Sequence, residues 1–178
     1  MRRPNFHLAV LVVGIALLSA FAGRALAQQL PRLQEENLPG QQVTLPDAAS
    51  GKVTALVFGF TKASQNSTGP WMKHLRDDFG KSGGFDLYQL PVIEEAPRMI
   101  RGMIISGMKK GVPENERANF IPVLHKEADL KKLVNYKEPD DAYIVVLDRN
   151  GKVVYQTHGG VDAAGYADLR TQLQGLPK

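Results

Sequence analysis

"VFGFTKASQNSTGPW", residues Val57 to Trp71, decides the fold. An apolar run breaks into small polar residues, and these lead into a helix. The run begins earlier, as "KVTALVFGF" from Lys52 to Phe60. It is too short for a free-standing helix and suits a central strand covered on both faces. Thr61 to Gly69 reads as a loop, and Pro70 falls where the first turn of a helix tolerates a missing N–H. Trp71, Leu75 and Phe79 follow at i, i+4 and i+8 as one apolar stripe. Strand, polar loop, helix is a layout that commonly carries function in the loop.

Outward from this stretch, Phe85 to Val92 alternates as a second core strand. Met99 to Met108 resumes helical spacing, and the cations, Gly and Pro of "KKGVPENE" close that helix. Phe120 to Leu124 reads as a short strand and Ala128 to Val134 as a short helix. In "AYIVVLDRNGKVVYQTHGG" two apolar strands flank Asp148-Arg149-Asn150-Gly151, and Asn-Gly between apolar runs signals a hairpin. Ala163 to Leu173 makes a last amphipathic helix. Before the central strand, Gln28 to Ala49 is rich in Pro and Gln, with an alternating piece at Val43-Thr44-Leu45. It reads as an extended lead-in with one edge strand. The order β-β-α-β-α-(β)-α-β-β-α predicts an α/β fold whose mixed central sheet carries helices on both faces.

The N-terminus supplies an address. Arg2 and Arg3 head an apolar run from Leu8 to Gly23, and Ala25-Leu26-Ala27 offers small residues where a signal peptidase reads. This pattern predicts a secretory signal peptide over residues 1–27, cleaved after Ala27. The alternative is a retained membrane anchor, since the run falls just short of the ~18 residues that suggest a span. A lead-in over residues 28–51 and one domain over residues 52–178 complete the expected organisation. The chain holds 22 basic and 18 acidic residues, and three of the basic ones leave with the leader. No basic patch then argues for nucleic acid. Zero cysteines exclude thiol redox catalysis, cysteine nucleophiles and thiolate metal sites in this chain.

"KVTALVFGFTKASQNS", "YIVVLDRNGKVV" and the terminal helix together resemble a thioredoxin-like fold, a three-layer sandwich around a mixed sheet. "FGFT" and the residue pair four apart after it are similar to the Sco copper-chaperone branch of the redoxins. In that branch the loop carries Cys-x-x-x-Cys and a histidine precedes the penultimate strand. Those positions fall here on Ala63, Ser67 and about Asp140. Ala has no donor atom, Ser is a poor ligand for soft copper and Asp is a hard one. "LPVIEEAPRMIRGMI", "MKKGVPENE" and "YIVVLD" also resemble the thioredoxin-like assembly factors of the mitochondrial ATP synthase, which lack the redox cysteines too. Both resemblances imply the fold, and neither restores the reactive atoms the loop has lost.

Other constellations have simpler readings beside the chemical ones. Ser64, Ser67 and Thr68 could serve as nucleophiles with His74 on the next helix, but no third residue orients such a base. Ser67 or Thr68 as a helix cap explains the same residues. Met99, Met103 and Met108 suit Cu(I), yet their helical spacing predicts core or groove packing. His74, His125 and His158 are scattered singletons without metal-ligand spacing. Glu94, Glu95 and Arg98 read as a solvated helix start with acids in its first turn. Asp140-Asp141 beside Pro139 reads as a turn.

The expected function is therefore binding. The chain reads as an exported, cysteine-less assembly factor or chaperone for a protein partner in the envelope or membrane, periplasmic or secreted. No catalytic residue, cofactor or metal ligand is assigned. The partner-binding surface is expected on the loop, at Thr61, Lys62, Ala63, Ser64, Gln65, Asn66 and Ser67, with Trp71 as anchor or, equally, as core. The loop should meet the turn before Ala142 at one end of the sheet, with backbone donors open at the helix start. The competing class is an enzyme, either a divergent redoxin of the thiol-disulfide or peroxiredoxin type or a hydrolase using the Ser-rich loop.

Overall fold

The computed structural model describes residues 28–176, so the expected leader lies outside the described residues. The chain order is β1 (Leu33–Glu36), β2 (Gln42–Leu45), β3 (Val53–Gly59), α1 (Gln65–Phe79), β4 (Phe85–Pro91), α2 (Arg98–Gly111), α3 (Glu127–Leu133), β5 (Ala142–Leu147), β6 (Val153–Gly159) and α4 (Ala163–Gly175). The central sheet runs β4-β3-β5-β6, with β4 parallel to β3 and the other pairs antiparallel.

Every residue of β3 is buried, as its unbroken apolar text requires. Successive side chains go to opposite faces. Val53, Ala55 and Val57 pack with Trp71, Met72 and Leu75 of α1 and with Leu169 and Leu173 of α4. Leu56 and Phe58 pack with Leu130 and Leu133 of α3 and with Leu33 and Leu45 of the β1–β2 hairpin. Each Val, Leu, Met or Phe among them contributes roughly 1.5–3 kcal/mol on burial. The result is the expected α/β sandwich, a mixed sheet between two covering layers.

The lead-in differs from the expectation. β2 is not an edge strand of the central sheet; it pairs antiparallel with β1, Leu33 opposite Leu45, in a separate two-stranded sheet. Leu30, Leu33, Leu45 and Ala49 all enter the core, so this segment is part of the packed body. Glu35 obscures β1 in the sequence because a charge at an inward position breaks the apolar alternation. Its buried carboxylate accepts from the backbone N–H of Leu124 at 3.1 Å and His125 at 3.0 Å, which offsets its desolvation.

Phe120 to Leu124 forms no strand of its own. It makes two isolated parallel bridges, Gln89 to Phe120 and Val92 to Val123, and so covers the open edge of β4. Glu94 and Glu95 do not sit in the first turn of α2, which begins at Arg98. Instead Glu94 accepts from the Glu127 N–H at 2.6 Å, and Lys131 bridges Glu95 and Glu127 at 2.8 Å each. Those hydrogen bonds hold the Lys131 ammonium well above the usual lysine range and the Glu95 carboxyl below its own.

The β5–β6 turn is built as its sequence suggests. The Asp148 carboxylate accepts from the N–H groups of Asn150 and Lys152, and Gly151 takes a φ of +76° that favours glycine. An irregularity between Val146 and Leu147 then shifts the register by one residue, which sets Tyr143 opposite His158.

α2 contradicts the core reading of its methionines. It buries no residue; Met99 is 95% exposed, Met103 70% and Ile100 39%. Both covering layers are filled by other elements, so its apolar spacing finds no cavity to fill.

Candidate functional site

The loop after β3 rests on an aromatic base. Phe60 meets Tyr136 and Tyr143 edge-on, with centroids 4.9 and 5.5 Å apart. The buried Tyr143 hydroxyl accepts from the N–H groups of Lys137 and Glu138 and donates to the Glu138 carbonyl, fixing the turn that leads to Asp140. Thr61 Oγ1 donates to Asp140 Oδ1 at 2.6 Å, and Ser67 Oγ donates to the Asp140 carbonyl at 2.9 Å. The loop and the turn before Ala142 thus meet at one end of the sheet, as expected.

Inside the loop, Ser64 is fully engaged. Its N–H donates to Thr61 Oγ1 at 3.0 Å and its hydroxyl donates to the Thr61 carbonyl at 2.7 Å. It packs so closely on the strand that a Cβ at Gly59 would stand 2.4 Å from Ser64 Oγ. Only glycine admits that approach. This local turn replaces a side-chain cap and starts α1 at Gln65, five residues before Pro70. Pro70 therefore lies inside the helix, where it leaves the Asn66 carbonyl without its usual donor. Ser67 and Thr68 do not cap: Ser67 reaches out to Asp140 and Thr68 is buried.

The first-turn donors are not open either. The N–H groups of Gln65, Asn66, Ser67 and Thr68 turn back to the carbonyls of Lys62, Ala63 and Ser64. The surface is therefore made by side chains. Lys62, Ala63, Gln65 and Asn66 are exposed, and Thr61 and Ser67 are half-buried. Ser64 and Trp71 leave the expected binding set because both are buried. Trp71 is 1% exposed and its indole N–H donates to the Gly159 carbonyl at 2.9 Å, so the core alternative holds for it.

The hydrolase arrangement does not form. Both loop serines donate to backbone carbonyls, and His74 lies against the Tyr166 ring at 4.9 Å. Ala63, Ser67 and Asp140 do gather at one end of the sheet. Among the described residues, however, no three His, Asp or Glu side chains converge as a ligand set. Sequence reasoning missed one polar pair here: His158 Nδ1 lies 2.8 Å from Asp141 Oδ2, with its ring stacked on Tyr143 at 5.4 Å. Counting back from the Asn-Gly turn points near it, and only the one-residue register shift delivers it.

No family profile and no curated protein sequence matches the chain. Solved structures do match. The exposed lipoprotein thioredoxin of Streptococcus pneumoniae superposes with a TM-score of 0.57 at 13% identity, over 80% of this chain and all of that one. A SCO1/SenC family lipoprotein from Bacillus anthracis gives 0.56 at 16% identity, over 86% and 97%. A thioredoxin-family thiol:disulfide interchange protein from Chlorobium tepidum gives 0.53 at 14%, over 84% and 97%. The chain therefore has a thioredoxin-like fold of the kind shared by thiol-disulfide and Sco proteins, and it has no cysteine.

Proposed function

We propose that this chain is an exported thioredoxin-fold binding or assembly factor that recognises a protein partner of the envelope or membrane through its cysteine-free loop. One observation carries the reading. The loop is held by Thr61, Ser64, Ser67 and Asp140 in a defined shape, although it carries no cysteine. Ordering a loop has an entropic cost of ~1–2 kcal/mol per residue, which a purely decorative turn has no reason to bear. What the lock presents outward is Lys62, Ala63, Gln65 and Asn66, one cation and two amides beside a small residue. Such a surface suits polar recognition with defined register. An export route is supported by the Ala25-Leu26-Ala27 pattern and by the lipoproteins among the structural neighbours.

The test is affinity capture of the protein from native membrane extract, with Lys62→Glu as control. A partner held by the parent and lost by the variant, both equally folded, supports the reading. Turnover in a disulfide-reduction or peroxide assay would place the chain among the enzymes instead.

A further inference from the structure

Among the described residues four large hydrophobic side chains are exposed, and three of them, Met99, Ile100 and Met103, share α2. Scattered exposed apolar residues need no explanation, whereas a cluster on one helix does. At 100° per residue, Met99 and Met103 stand one turn apart at the centre of the outward face. Gly102, Ser106 and Gly107 beside them add no bulk, and all three are exposed. Ile104, Ile105 and Met108 point back toward the body and are half-buried.

We infer that α2 is an interfacial helix that lays this face on an anionic membrane surface. The charge of the helix selects that occupant. From Arg98 to Gly111 it carries four cations, Arg98, Arg101, Lys109 and Lys110, and no acid. Among the described residues Arg98, Lys109 and Lys110 form no ion pair with a carboxylate. Of the neighbouring acids, Glu95 is paired to Lys131 and Glu116 to Arg76, and Glu94 accepts from the Glu127 N–H, which leaves Glu114 beyond Pro113. A bilayer with anionic headgroups takes both features at once. The thioether and isoleucine side chains enter the acyl boundary while the long basic side chains reach the phosphates. A second copy of this chain would set like charges against each other, and a soluble polyanion would give the methionines nothing to enter.

The helix is also held for presentation. Pro97 and Pro113 bracket it, and Arg101 donates to the carbonyls of Ala96 and Glu94 at its start. Arg117 Nε donates to the Val112 carbonyl at 3.0 Å at its end. This surface is separate from the loop, so either can fail without the other.

Because the chain has no cysteine, one thiol can be placed at will. Met103→Cys in the full chain is labelled with a polarity-sensitive fluorophore, and Thr171→Cys on α4 serves as the exposed reference. Since the N-terminal segment can bring the full chain to any vesicle, position 103 is read against position 171. On vesicles of phosphatidylcholine with phosphatidylglycerol, the label at 103 should shift to the blue and be quenched by spin-labelled acyl chains, while that at 171 stays aqueous. Lys109→Glu with Lys110→Glu should lower this partition at least about tenfold, as should high salt. A label at 103 that stays aqueous on these vesicles overturns the inference. So does an equal response on pure phosphatidylcholine, or a concentration-dependent shift without vesicles, which would mean self-association.

Discussion

α1 and α2 begin from nearly the same kind of text and end in opposite situations. Both carry apolar residues at helical spacing. α1 buries Trp71, Met72 and Leu75 against β3, β5 and α4, whereas α2 buries nothing. The difference is set by what surrounds them. α1 follows directly from the central strand and falls back onto its face, where Val53, Ala55 and Val57 await cover. α2 follows β4 after a loop pinned to α3, and other elements cover both faces of the sheet, α1 and α4 on one and α3 with the β1–β2 hairpin on the other. An apolar stripe states that a helix has a face to cover and does not state what covers it.

The sharpest break of this contrast is Trp71→Ala. It removes the largest side chain of the α1 face together with the bond to Gly159, and should cost about 3–5 kcal/mol in denaturant unfolding. A loss under ~1 kcal/mol would mean that α1 is not the packed helix described here.

The next effect concerns how α4 is fastened on the same face. Tyr155 donates to Asp168 at 2.6 Å, and burial, then this bond, push its hydroxyl from 10.0 up to about 12. Tyr166, bonded to the His74 carbonyl and Asp78, is raised in the same direction, by burial first. The folded state thus keeps these protons after the unfolded chain has lost them. The Tyr155 contribution is fully present below pH 10 and fades as pH rises through about 12, and that of Tyr166 fades in the same direction. Tyr155→Phe should flatten that alkaline loss, measured as melting temperature against pH. An unchanged slope would remove Tyr155 from the account.

Thr61→Val should cost about 1–2 kcal/mol, because it deletes the bond to Asp140 and leaves the Ser64 N–H without its acceptor. Smallest of all, Met103→Ala should change stability by no more than about 0.5 kcal/mol, as befits an exposed helix position. A cost above ~2 kcal/mol there would make α2 a packed helix and erase the contrast.

Much of this was legible from residues alone. "KVTALVFGF" announced a strand covered on both faces, Asn150-Gly151 announced the hairpin, and the meeting of loop and Asp140 turn followed from the topology. What escaped depended on partners distant in sequence. Glu35 hides β1 until the backbone of residues 124 and 125 is known to satisfy it. Pro70 has the character of a first-turn residue and so hides the true start of α1, which the Ser64–Thr61 turn sets at Gln65. Trp71 could be anchor or core by spacing, and only the Gly159 carbonyl decides for core.

We propose that a protein partner docks on the cysteine-free loop. Placing a photoreactive amino acid at Asn66 in the full chain, in its source cells, tests this most directly, because Asn66 is exposed on the locked first turn. The account predicts one discrete protein adduct at this position, lost when Lys62→Glu is added. No adduct at Asn66, with the partner still captured and crosslinked from another face of the protein, would contradict it.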